Sequence, residues 1–435
     1  MTRIDPGTPM GEFMRQYWLP VLIEDELQPD GEVLRIRLLG ESLIAFRDTS
    51  GKVGVLGANC SHRGADLFYG RNEETGLRCP YHGWKFDVRG ICVDTPGEPP
   101  DSNLKHKLRH KSYPCAERNG AIWVYMGRLA DPPPLPELEW NLVPRNHRFL
   151  AKRVQFCNWA QAMEGEIDQS HVSFLHAPGT QLKPLSEDEI ARSGVDLWRK
   201  RDTHPRFHTH DVENGVIVGA QRDIDEYSCY WRITQYLFPF HTMTGPYGDN
   251  PTRQTRAWIP IDNSTTLVFA ANFHPLRPLS DKEVAQLRAG SGAGFVGERN
   301  FLPPTNEAFG AWKPKARREN DFFFNRGLQR TEYFPGVPEF WAQDASMQEG
   351  MGPIYDRSNE HLGTSDLAII RVRRRLMQAA RDLLEEKTPP AGILDPKAYR
   401  VRGAAAVLPR GADWIAATEE VRVMRPGTNP DAPPR

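Results

Sequence analysis

The sequence predicts an α+β protein built from two domains. A chain of 435 residues is too long for one ordinary hydrophobic core, so two domains are expected. Alternating apolar and polar residues predict β-strands both before and after a proline-rich segment, DPPPLP, at residues 131–136. Nearer the C-terminal end, TSDLAIIRVRRRLMQAARDLLEE repeats apolar residues at helical spacing. We therefore expect a small β-rich domain at residues 1–135 and a larger domain at residues 136–435.

The composition argues against several classes of partner. The 55 basic and 56 acidic residues leave a net charge of −1, which disfavours an electrostatic nucleic-acid binder. No apolar run approaches the roughly 20 residues that span a bilayer. The first residues, MTRIDPGTPMGEF, contain no hydrophobic signal core. Six cysteines in this length fit a reducing compartment better than a disulfide framework. The sequence predicts a soluble, cytoplasmic protein.

The first domain starts with β patterns and then presents two turns that carry metal ligands. The stretch VLRIRLLGESLIAF predicts a strand, a turn and a second strand. Cys60 and His62 follow in CSHRGADLF, and Cys79 and His82 follow in CPYHGWKFD. Each turn therefore offers one thiolate and one imidazole. Glycines beside these ligands let the backbone approach a bound cluster closely.

Three interpretations of these four residues compete. A structural zinc site usually pairs like ligands, two cysteines and then two histidines, which is not the order here. Accidental clustering in a β domain is the second interpretation. The third is a Rieske [2Fe–2S] centre, in which two cysteines bind one iron and two histidines bind the other. The interleaved order favours the Rieske centre, because each turn can then serve both irons. The other cysteines lack paired spacing and are interpreted as small buried hydrophobic residues: Cys92, Cys115, Cys157 and Cys229.

A second candidate metal site lies in NWAQAMEGEIDQSHVSFLH, which contains Asp168, His171 and His176. Two imidazoles and one remote carboxylate make the facial triad that leaves open positions on non-haem Fe(II). Without context, two unrelated histidines on a helix explain this pattern as well. On a helix Asp168 and His171 share a face. His176 lies about 140° further round, so we expect the helix to loosen or end between the two histidines.

The remaining segments predict an antiparallel sheet with few chemical signals. In SCYWRITQYLF, one face carries Tyr230, Arg232, Thr234 and Tyr236, which predicts either a polar-aromatic pocket wall or a solvated outer face. The three histidines of THPRFHTHD are interpreted as side chains of an exposed strand and not as metal ligands: His204, His208 and His210. The glycine-rich LRAGSGAGFVGERNFLPP is interpreted as a loop that is able to act as a lid.

With a Rieske pair and a downstream D-x2-H-x4-H pattern, the chain resembles the large subunit of Rieske non-haem iron oxygenases. PGTPMG, RQYWLP, GRNEETGLRCPYHGWKFDV and QDASMQEGMGPIYDRSNEHLG resemble the phthalate 4,5-dioxygenase branch. The resemblance implies a β-rich Rieske [2Fe–2S] domain followed by a catalytic domain with a curved antiparallel sheet over helices. It also implies a trimer or a stacked pair of trimers, in which the cluster of one subunit serves the iron of the next.

The resemblance also assigns site residues. The cluster ligands are Cys60, His62, Cys79 and His82. The mononuclear iron takes His171, His176 and a C-terminal carboxylate, which the Q-D-A phrase places at Asp344; the alternatives nearby are Glu339, Glu349 and Asp356. Asp168 matches the acid that joins an iron-bound histidine to a cluster histidine, here His82, of the adjacent subunit. Many relatives carry Asn three or four residues before this acid, where this chain has Gly165 and Glu164.

The resemblance implies a terminal oxygenase that adds both atoms of O2 to an aromatic ring as a cis-diol. Electrons should come from NADH through a separate reductase that carries flavin and a [2Fe–2S] centre. The chain shows no G-x-G-x-x-G turn of its own between a strand and a helix. We expect the substrate to be an aromatic carboxylate such as phthalate, held by Arg206 and Arg232.

Two rival functions are weighed against this one. A monooxygenase that removes an O-methyl group from a methoxylated aromatic acid would use the same iron chemistry. A Rieske electron carrier with a ligand-binding second domain is disfavoured, because a carrier has no use for His171, His176 and Asp344.

Overall fold

The computed structural model describes residues 1–177, 202–246, 251–291, 295–387 and 389–424. The N-terminal half of the fold contains two short helices, α1 (Pro9–Arg15) and α2 (Leu104–Lys107). Its strands are β1 (Trp18–Ile23), β2 (Leu34–Leu38), β3 (Glu41–Arg47), β4 (Val53–Gly57), β5 (Arg71–Glu73), β6 (Gly76–Arg78), β7 (Lys85–Phe86), β8 (Cys92–Asp94), β9 (Ser112–Tyr113), β10 (Cys115–Arg118) and β11 (Ala121–Tyr125). The central residue range of the glycine-rich loop, 292–294, lies outside the described residues.

These strands form three small antiparallel sheets, in the orders β2-β3-β4-β9, β5-β6-β7-β8 and β1-β11-β10. The strand–turn–strand predicted from VLRIRLLGESLIAF is confirmed as β2 and β3, with Gly40 in the turn at a φ of 81°. A small core lies beneath the two metal-ligand turns, and Cys60, Cys79 and Trp84 are part of it. Cys92, Cys157 and Cys229 are buried as predicted, whereas Cys115 is only partly buried.

The second half of the fold is one large antiparallel sheet with helices packed on it. Its strands are β12 (Arg148–Gln155), β13 (Arg206–Val212), β14 (Gly215–Asp223), β15 (Ser228–Leu237), β16 (His241–Met243), β17 (Arg253–Pro260), β18 (Thr266–Phe273) and β19 (Ala404–Pro409). They pair in the order β12-β18-β17-β16-β15-β14-β13, and β19 pairs with the start of β15. The predicted α+β fold, a β-rich domain before an antiparallel sheet with helices, is confirmed.

The helices of this half are α3 (Trp159–Ile167), α4 (Asp281–Arg288), α5 (Arg326–Thr331), α6 (Phe340–Gly350), α7 (Leu367–Glu385), α8 (Trp414–Ala417) and α9 (Glu419–Arg422). Helix α7 confirms the helix predicted from the sequence, and it buries Val372 and Leu376 as expected. Neither Thr364 nor Ser365 caps it, because a 3-10 turn precedes the helix and Asp366 accepts a hydrogen bond from the Gly363 N–H there. Within the described residues, no helix has the length and apolar character to cross a bilayer.

The two halves share one continuous hydrophobic core. Helix α1 packs against α7, and the Trp18 Nε1–H donates to the Pro133 carbonyl over 2.7 Å. Residues 126–147 contain no strand, so the predicted boundary after residue 135 falls between the last strand of the first half and β12. The first fifteen residues, however, contact helices of the second half. The boundary itself stays a prediction.

Both faces of β15 are buried, so the interpretation of a solvated outer face is wrong. Tyr230, Thr234 and Tyr236 are buried, and Arg232 is 7% exposed. The Tyr236 hydroxyl donates to the Pro239 carbonyl over 2.6 Å, which satisfies its polar atom inside the core. The side chain of Gln169, in the segment that follows α3, hydrogen-bonds to Thr234 and Arg232 on this face. Arg232 is the residue of this face that reaches a cavity.

Candidate active site

The first site lies on two matching turns of the N-terminal domain. In one turn, the Cys60 N–H donates to the Ala65 carbonyl and the Gly64 N–H donates to the Cys60 carbonyl, both over 2.8 Å. In the other turn, the Cys79 N–H donates to the Trp84 carbonyl and the Gly83 N–H donates to the Cys79 carbonyl. The two glycines have φ values of 74° and 78°, a left-handed conformation that a residue with a Cβ adopts only with strain. The C-x-H and C-x2-H spacings thus present one thiol and one imidazole from each turn.

The side chains on these turns fit a two-iron cluster. The Nδ1 atoms of His62 and His82 are buried and have no hydrogen-bond partner, which leaves both free to bind metal. Their ring centroids lie 4.5 Å apart, and His62 stacks on Trp84 at 4.3 Å. Burial raises the pKa of the Cys60 thiol to about 11, so a bound metal is needed to hold it as a thiolate.

The same four residues do not fit one zinc ion. In the part of the chain that the structure describes, the group of donors that meets within 4.8 Å is His171, His176 and Asp344. No three donor atoms from the two cysteine–histidine turns converge as closely. Ligands spread around a larger centre are what a binuclear cluster requires, because each iron takes only two of them.

The second site is formed by α6 and the segment that follows α3. His171 Nε2 and His176 Nε2 each lie 3.4 Å from a different oxygen of Asp344. Both Nδ1 atoms point away from this carboxylate. His171 Nδ1 lies 3.2 Å from Asp168 Oδ2, and His176 Nδ1 lies 2.8 Å from Gln343 Oε1. These acceptors fix the tautomer in which both Nε2 atoms are free, so two imidazoles and one carboxylate face a common point.

The local backbone explains this arrangement and corrects one expectation. Asn158 caps α3 by accepting a hydrogen bond from the Ala160 N–H over 3.1 Å. The helix then ends at Ile167, because Asp168 is extended with φ −75° and ψ 121°. Asp168 and His171 therefore do not share a helix face as predicted. A turn brings them together instead, in which the Ser170 N–H and hydroxyl donate to Asp168 Oδ1 over 2.7 and 2.6 Å.

Comparisons with known proteins agree with both sites. Residues 17–114 match the Rieske [2Fe-2S] domain, and residues 124–430 match the family described as LigXa C-terminal domain like. The 3-chlorobenzoate-3,4-dioxygenase oxygenase subunit of Comamonas testosteroni is 36% identical over 97% of this chain and 96% of its own length. The phthalate 4,5-dioxygenase oxygenase subunit of Pseudomonas putida is 35% identical over 87% of this chain and 84% of its own.

The chain is the large subunit of a Rieske non-haem iron oxygenase.

A more distant relative and a solved structure extend the comparison. The 5,5'-dehydrodivanillate O-demethylase oxygenase subunit of Sphingobium sp. (strain NBRC 103272 / SYK-6) is 29% identical over 91% of this chain and 82% of its own. The crystal structure of dicamba monooxygenase bound to dicamba has the same fold, with a TM-score of 0.58 at 17% identity; the match covers 87% of this chain and 100% of that one. Rieske oxygenases carry a [2Fe–2S] cluster and a mononuclear iron, and this chain has a fitting site for each.

In this oxygenase Asp168 is positioned to hold His171 and to remain charged. Burial opposes its charged form, but the hydrogen bond with His171 and the two from Ser170 outweigh burial and lower the pKa of Asp168. Burial likewise opposes the charged form of His171. Its hydrogen bond to Asp168 and the negative charge of Asp344 outweigh that effect, and the net shift raises the pKa of His171. Asp168 is about one-fifth exposed, on the rim of a surface depression of about 1160 Å³.

Of the two arginines proposed as substrate ligands, Arg232 lines the cavity at the triad and Arg206 does not. Arg232 lines a cavity of about 460 Å³ that also contains Asp168, His171, His176 and Asp344. Arg206 does not line this cavity. Its side chain is 49% exposed, and its guanidinium pairs with both oxygens of Asp223 at 3.0 and 2.5 Å. The expected clamp of two arginines is therefore not formed by this pair, because β13 is the last strand of the sheet and Arg206 faces solvent.

The alternative carboxylates for the third iron ligand point elsewhere. Glu339 accepts a hydrogen bond from Trp341 Nε1 over 2.7 Å, and Glu349 accepts one from the Phe156 N–H over 3.0 Å. Asp356 caps a turn by accepting from the Ser358 N–H. His208 contacts Gln221 and the ring of Trp231. Among the described residues, no group of metal donors includes His204, His208 or His210.

Glu164 and Gly165, where relatives carry Asn, have roles of their own. Glu164 binds the guanidinium groups of Arg357 and Arg373, and Glu360 binds the same two arginines. This network ties α3 to α7. Gly165 lies against Gln348, and a Cβ at Gly165 would come within 2.1 Å of the Gln348 Nε2. The amide of Gln348, one helical turn after Asp344, thus occupies the space beside Gly165.

Several site residues were missed by the sequence analysis. Gln343 orients His176, and Phe340 stacks on the His176 ring at 3.8 Å. Gln343 immediately precedes the predicted ligand Asp344, so the sequence already placed its side chain close to the iron site. The cavity also contains Arg153 and Arg256 on β12 and β17. Neither strand carries a local sequence signal for a cavity, and only the register of the sheet reveals which face lines it.

Proposed function

We propose that this oxygenase dihydroxylates an aromatic carboxylate, such as phthalate, with electrons that a separate NADH-dependent reductase supplies. The observation that carries the proposal is a buried guanidinium, Arg232, in the same cavity as the His171–His176–Asp344 triad. The names of the two relatives at 36% and 35% identity, which act on 3-chlorobenzoate and phthalate, support an acidic aromatic substrate. The cavity volume of about 460 Å³ suits a single small aromatic acid.

In the proposed reaction, some residues of the chain bind or orient the metal ligands and others bind the substrate. When bound, the cluster supplies single electrons, and the mononuclear iron provides the place at which O2 reacts with the ring. Asp168 and Gln343 hold the two imidazoles in the tautomer that binds metal. The Arg232 guanidinium donates from Nε to the Gly245 carbonyl and from Nη1 to Gln169 Oε1, and its buried positive charge would attract a carboxylate in the cavity. Trp258 and Phe340 supply aromatic wall to the same cavity.

The surface around Asp168 supports assembly of a trimer or a stacked pair of trimers. The depression beside Asp168 contains exposed apolar side chains, among them Phe174, Phe334 and Met347. The cluster turns expose Tyr69 and Tyr81, and Tyr81 packs against His82 with ring centroids 3.9 Å apart. In the proposed assembly, the cluster domain of one subunit covers this depression and His82 approaches Asp168 of the next. A cytoplasmic location fits the six cysteines, none of which forms a disulfide.

A second candidate function is O-demethylation of a methoxylated aromatic acid. The relative that favours it is the O-demethylase oxygenase subunit, 29% identical over 91% of this chain. Both reactions use the same two metal sites and an acidic aromatic substrate. They differ in how many atoms of O2 remain in the aromatic product.

Substitution of Arg232 by methionine tests the substrate class. We expect Arg232→Met to weaken binding of the aromatic acid by roughly ten- to a hundredfold, the usual cost of losing a charge-assisted hydrogen bond. Binding of the uncharged methyl ester should change little, because the ester offers no charge to the guanidinium. The measurement is the KM for the acid and for its methyl ester under steady-state turnover with reductase.

Arg206→Met is the matched control, since it removes an arginine from the outer strand of the same sheet. It should keep the wild-type ratio of acid to ester. Equal turnover of acid and ester by the wild type, with no change of the ratio in Arg232→Met, would show that the substrate is not recognised as a carboxylate there.

A further inference from the structure

The catalytic cavity contains a second buried guanidinium, that of Arg153. This residue lies in the middle of β12 and is 2% exposed. It lines the cavity together with the triad residues His171, His176 and Asp344. A buried arginine is costly unless a negative group compensates it, so its partners decide what it does.

Arg153 has polar and aromatic neighbours but no ion pair. Its Nη1 donates to Gln155 Oε1 over 2.5 Å, an uncharged amide. Its Nε is buried without a hydrogen-bond partner. The guanidinium carbon lies 5.2 Å from the centre of the Trp341 ring. Among the described residues, no carboxylate forms an ion pair with it, whereas its cavity neighbour Arg256 is paired with Glu166.

The nearest negative groups are engaged elsewhere. Both oxygens of Asp344 face the two imidazoles. Glu349 accepts a hydrogen bond from the Phe156 N–H, and burial raises the pKa of Glu349 to about 7. Burial and the neighbouring Arg256 lower the pKa of Arg153 to about 10, although the charges of Glu349 and Asp344 act in the opposite direction. Among the described residues, no carboxylate is in ion-pair contact with this buried guanidinium.

We propose that Arg153 binds an anionic group of the substrate, at a position in the cavity separate from Arg232. Arg153 is on β12 and Arg232 is on β15, and strands β18, β17 and β16 lie between these two strands. The paired Arg256 is on β17, between them. The cavity thus offers two separate cationic positions. This inference rests on the proposed function, an oxygenase of aromatic carboxylates.

Binding measurements with matched acids and amides test the inference. The ligands are benzoate and the three benzenedicarboxylates, each compared with its amide, titrated calorimetrically into the protein with both metals bound. For the acid that binds most tightly, Arg153→Met should reduce the acid-to-amide preference by roughly ten- to a hundredfold. Arg153→Lys should restore part of the preference, since it keeps the charge but not the fork of donors.

Lys152→Met is the control for burial and charge. Lys152 is also 2% exposed on β12, but it faces the other side of the sheet, where its Nζ lies 2.5 Å from Glu26. This variant should lose stability and keep the wild-type acid preference. Iron content, cluster absorbance and thermal melting of each variant separate a folding defect from a binding defect.

The outcomes distinguish this inference from the function on which it rests. If Arg153→Met weakens acid and amide equally, or changes neither, Arg153 holds no anionic group. If Arg232→Met alone removes the acid preference, the inference is overturned while the proposed substrate class stands. A wild-type protein with no preference for any acid over its amide overturns both.

Discussion

Asp344→Ala is expected to abolish turnover and to lose the mononuclear iron while keeping the Rieske cluster. Among the described residues, the Asp344 carboxylate is the group that faces both imidazole Nε2 atoms, at 3.4 Å from each. Two imidazoles alone bind Fe(II) weakly, so activity should fall by more than the roughly 10–100-fold that follows loss of a residue that only supports a metal ligand. The measurements are iron per chain, the visible spectrum of the cluster, and turnover with reductase.

Asp356→Ala provides the matched control, because Asp356 is a nearby carboxylate that only caps a turn. It should retain wild-type iron and turnover. Full activity in Asp344→Ala, or loss of iron in Asp356→Ala, would move the third ligand away from Asp344. Loss of the cluster spectrum in Asp344→Ala would indicate a folding defect instead, since the cluster turns lie in the other domain.

Asp168→Asn is expected to keep both metals and to lose most of the electron transfer between them. The neutral amide preserves the size of the side chain but removes its negative charge. In the wild type this charge lies beside His171, with Asp168 Oδ2 3.2 Å from His171 Nδ1. The substitution also replaces one carboxylate oxygen with an NH2 donor, so a single acceptor oxygen is left to serve both His171 and, in the proposed assembly, His82 of the next subunit. We expect the rate of cluster oxidation to fall on the order of a hundredfold, at the upper end for residues that support a metal ligand.

The measurement is a single turnover of pre-reduced protein mixed with O2 and the aromatic acid, with cluster oxidation followed by absorbance. Ser170→Ala removes the hydroxyl that donates to Asp168 but leaves the charge of Asp168, and it should change this rate far less. If the asparagine variant oxidises its cluster as fast as the wild type, Asp168 does not couple the two metal sites.

The sequence singled out candidate metal residues because their identity is set by chemistry, and three of them, His171, His176 and Asp344, lie together in the structure. Cysteine and histidine in the order C-x-H and C-x2-H, and two histidines with a remote carboxylate, leave few alternatives for iron. The Q-D-A phrase located Asp344, which lies more than 160 residues beyond His176, only through resemblance. No local pattern in FWAQDASMQEG distinguishes Asp344 from Glu349; the fold does so by turning one toward the imidazoles and the other toward the Phe156 N–H.

The substrate residues were predicted less well because they depend on which face of a strand is enclosed. Arg206 and Arg232 both stand in alternating strands, yet one is on the last strand of the sheet and the other is buried at its centre. Arg153 gave no signal, since RFLAKRVQ places arginine and lysine on both faces of β12. Sheet order and register decide which of these cations reaches the cavity, and neither is encoded within a single strand.

The end of α3 also differs from what the helical spacing of the sequence predicted. Helical spacing placed Asp168 and His171 on one face, but the helix ends at Ile167 and an Asp168–Ser170 turn performs the pairing. Asp and Ser side chains compete with the helix for backbone N–H groups, which favours a helix end at D-Q-S. The D-Q-S residues therefore predict the end of this helix better than the helical spacing of Asp168 and His171 does.

The origin of the oxygen in the product tests the central claim most directly. The wild-type protein is supplied with reductase, NADH and a panel of aromatic carboxylates under ¹⁸O-labelled O2, and the products are analysed by mass spectrometry. We expect the wild type to form a cis-diol of an aromatic acid that carries two labelled oxygens, and Asp344→Ala to form none. A demethylated product without a labelled diol would identify an O-demethylase instead, and NADH consumption with no label in any product would contradict the account.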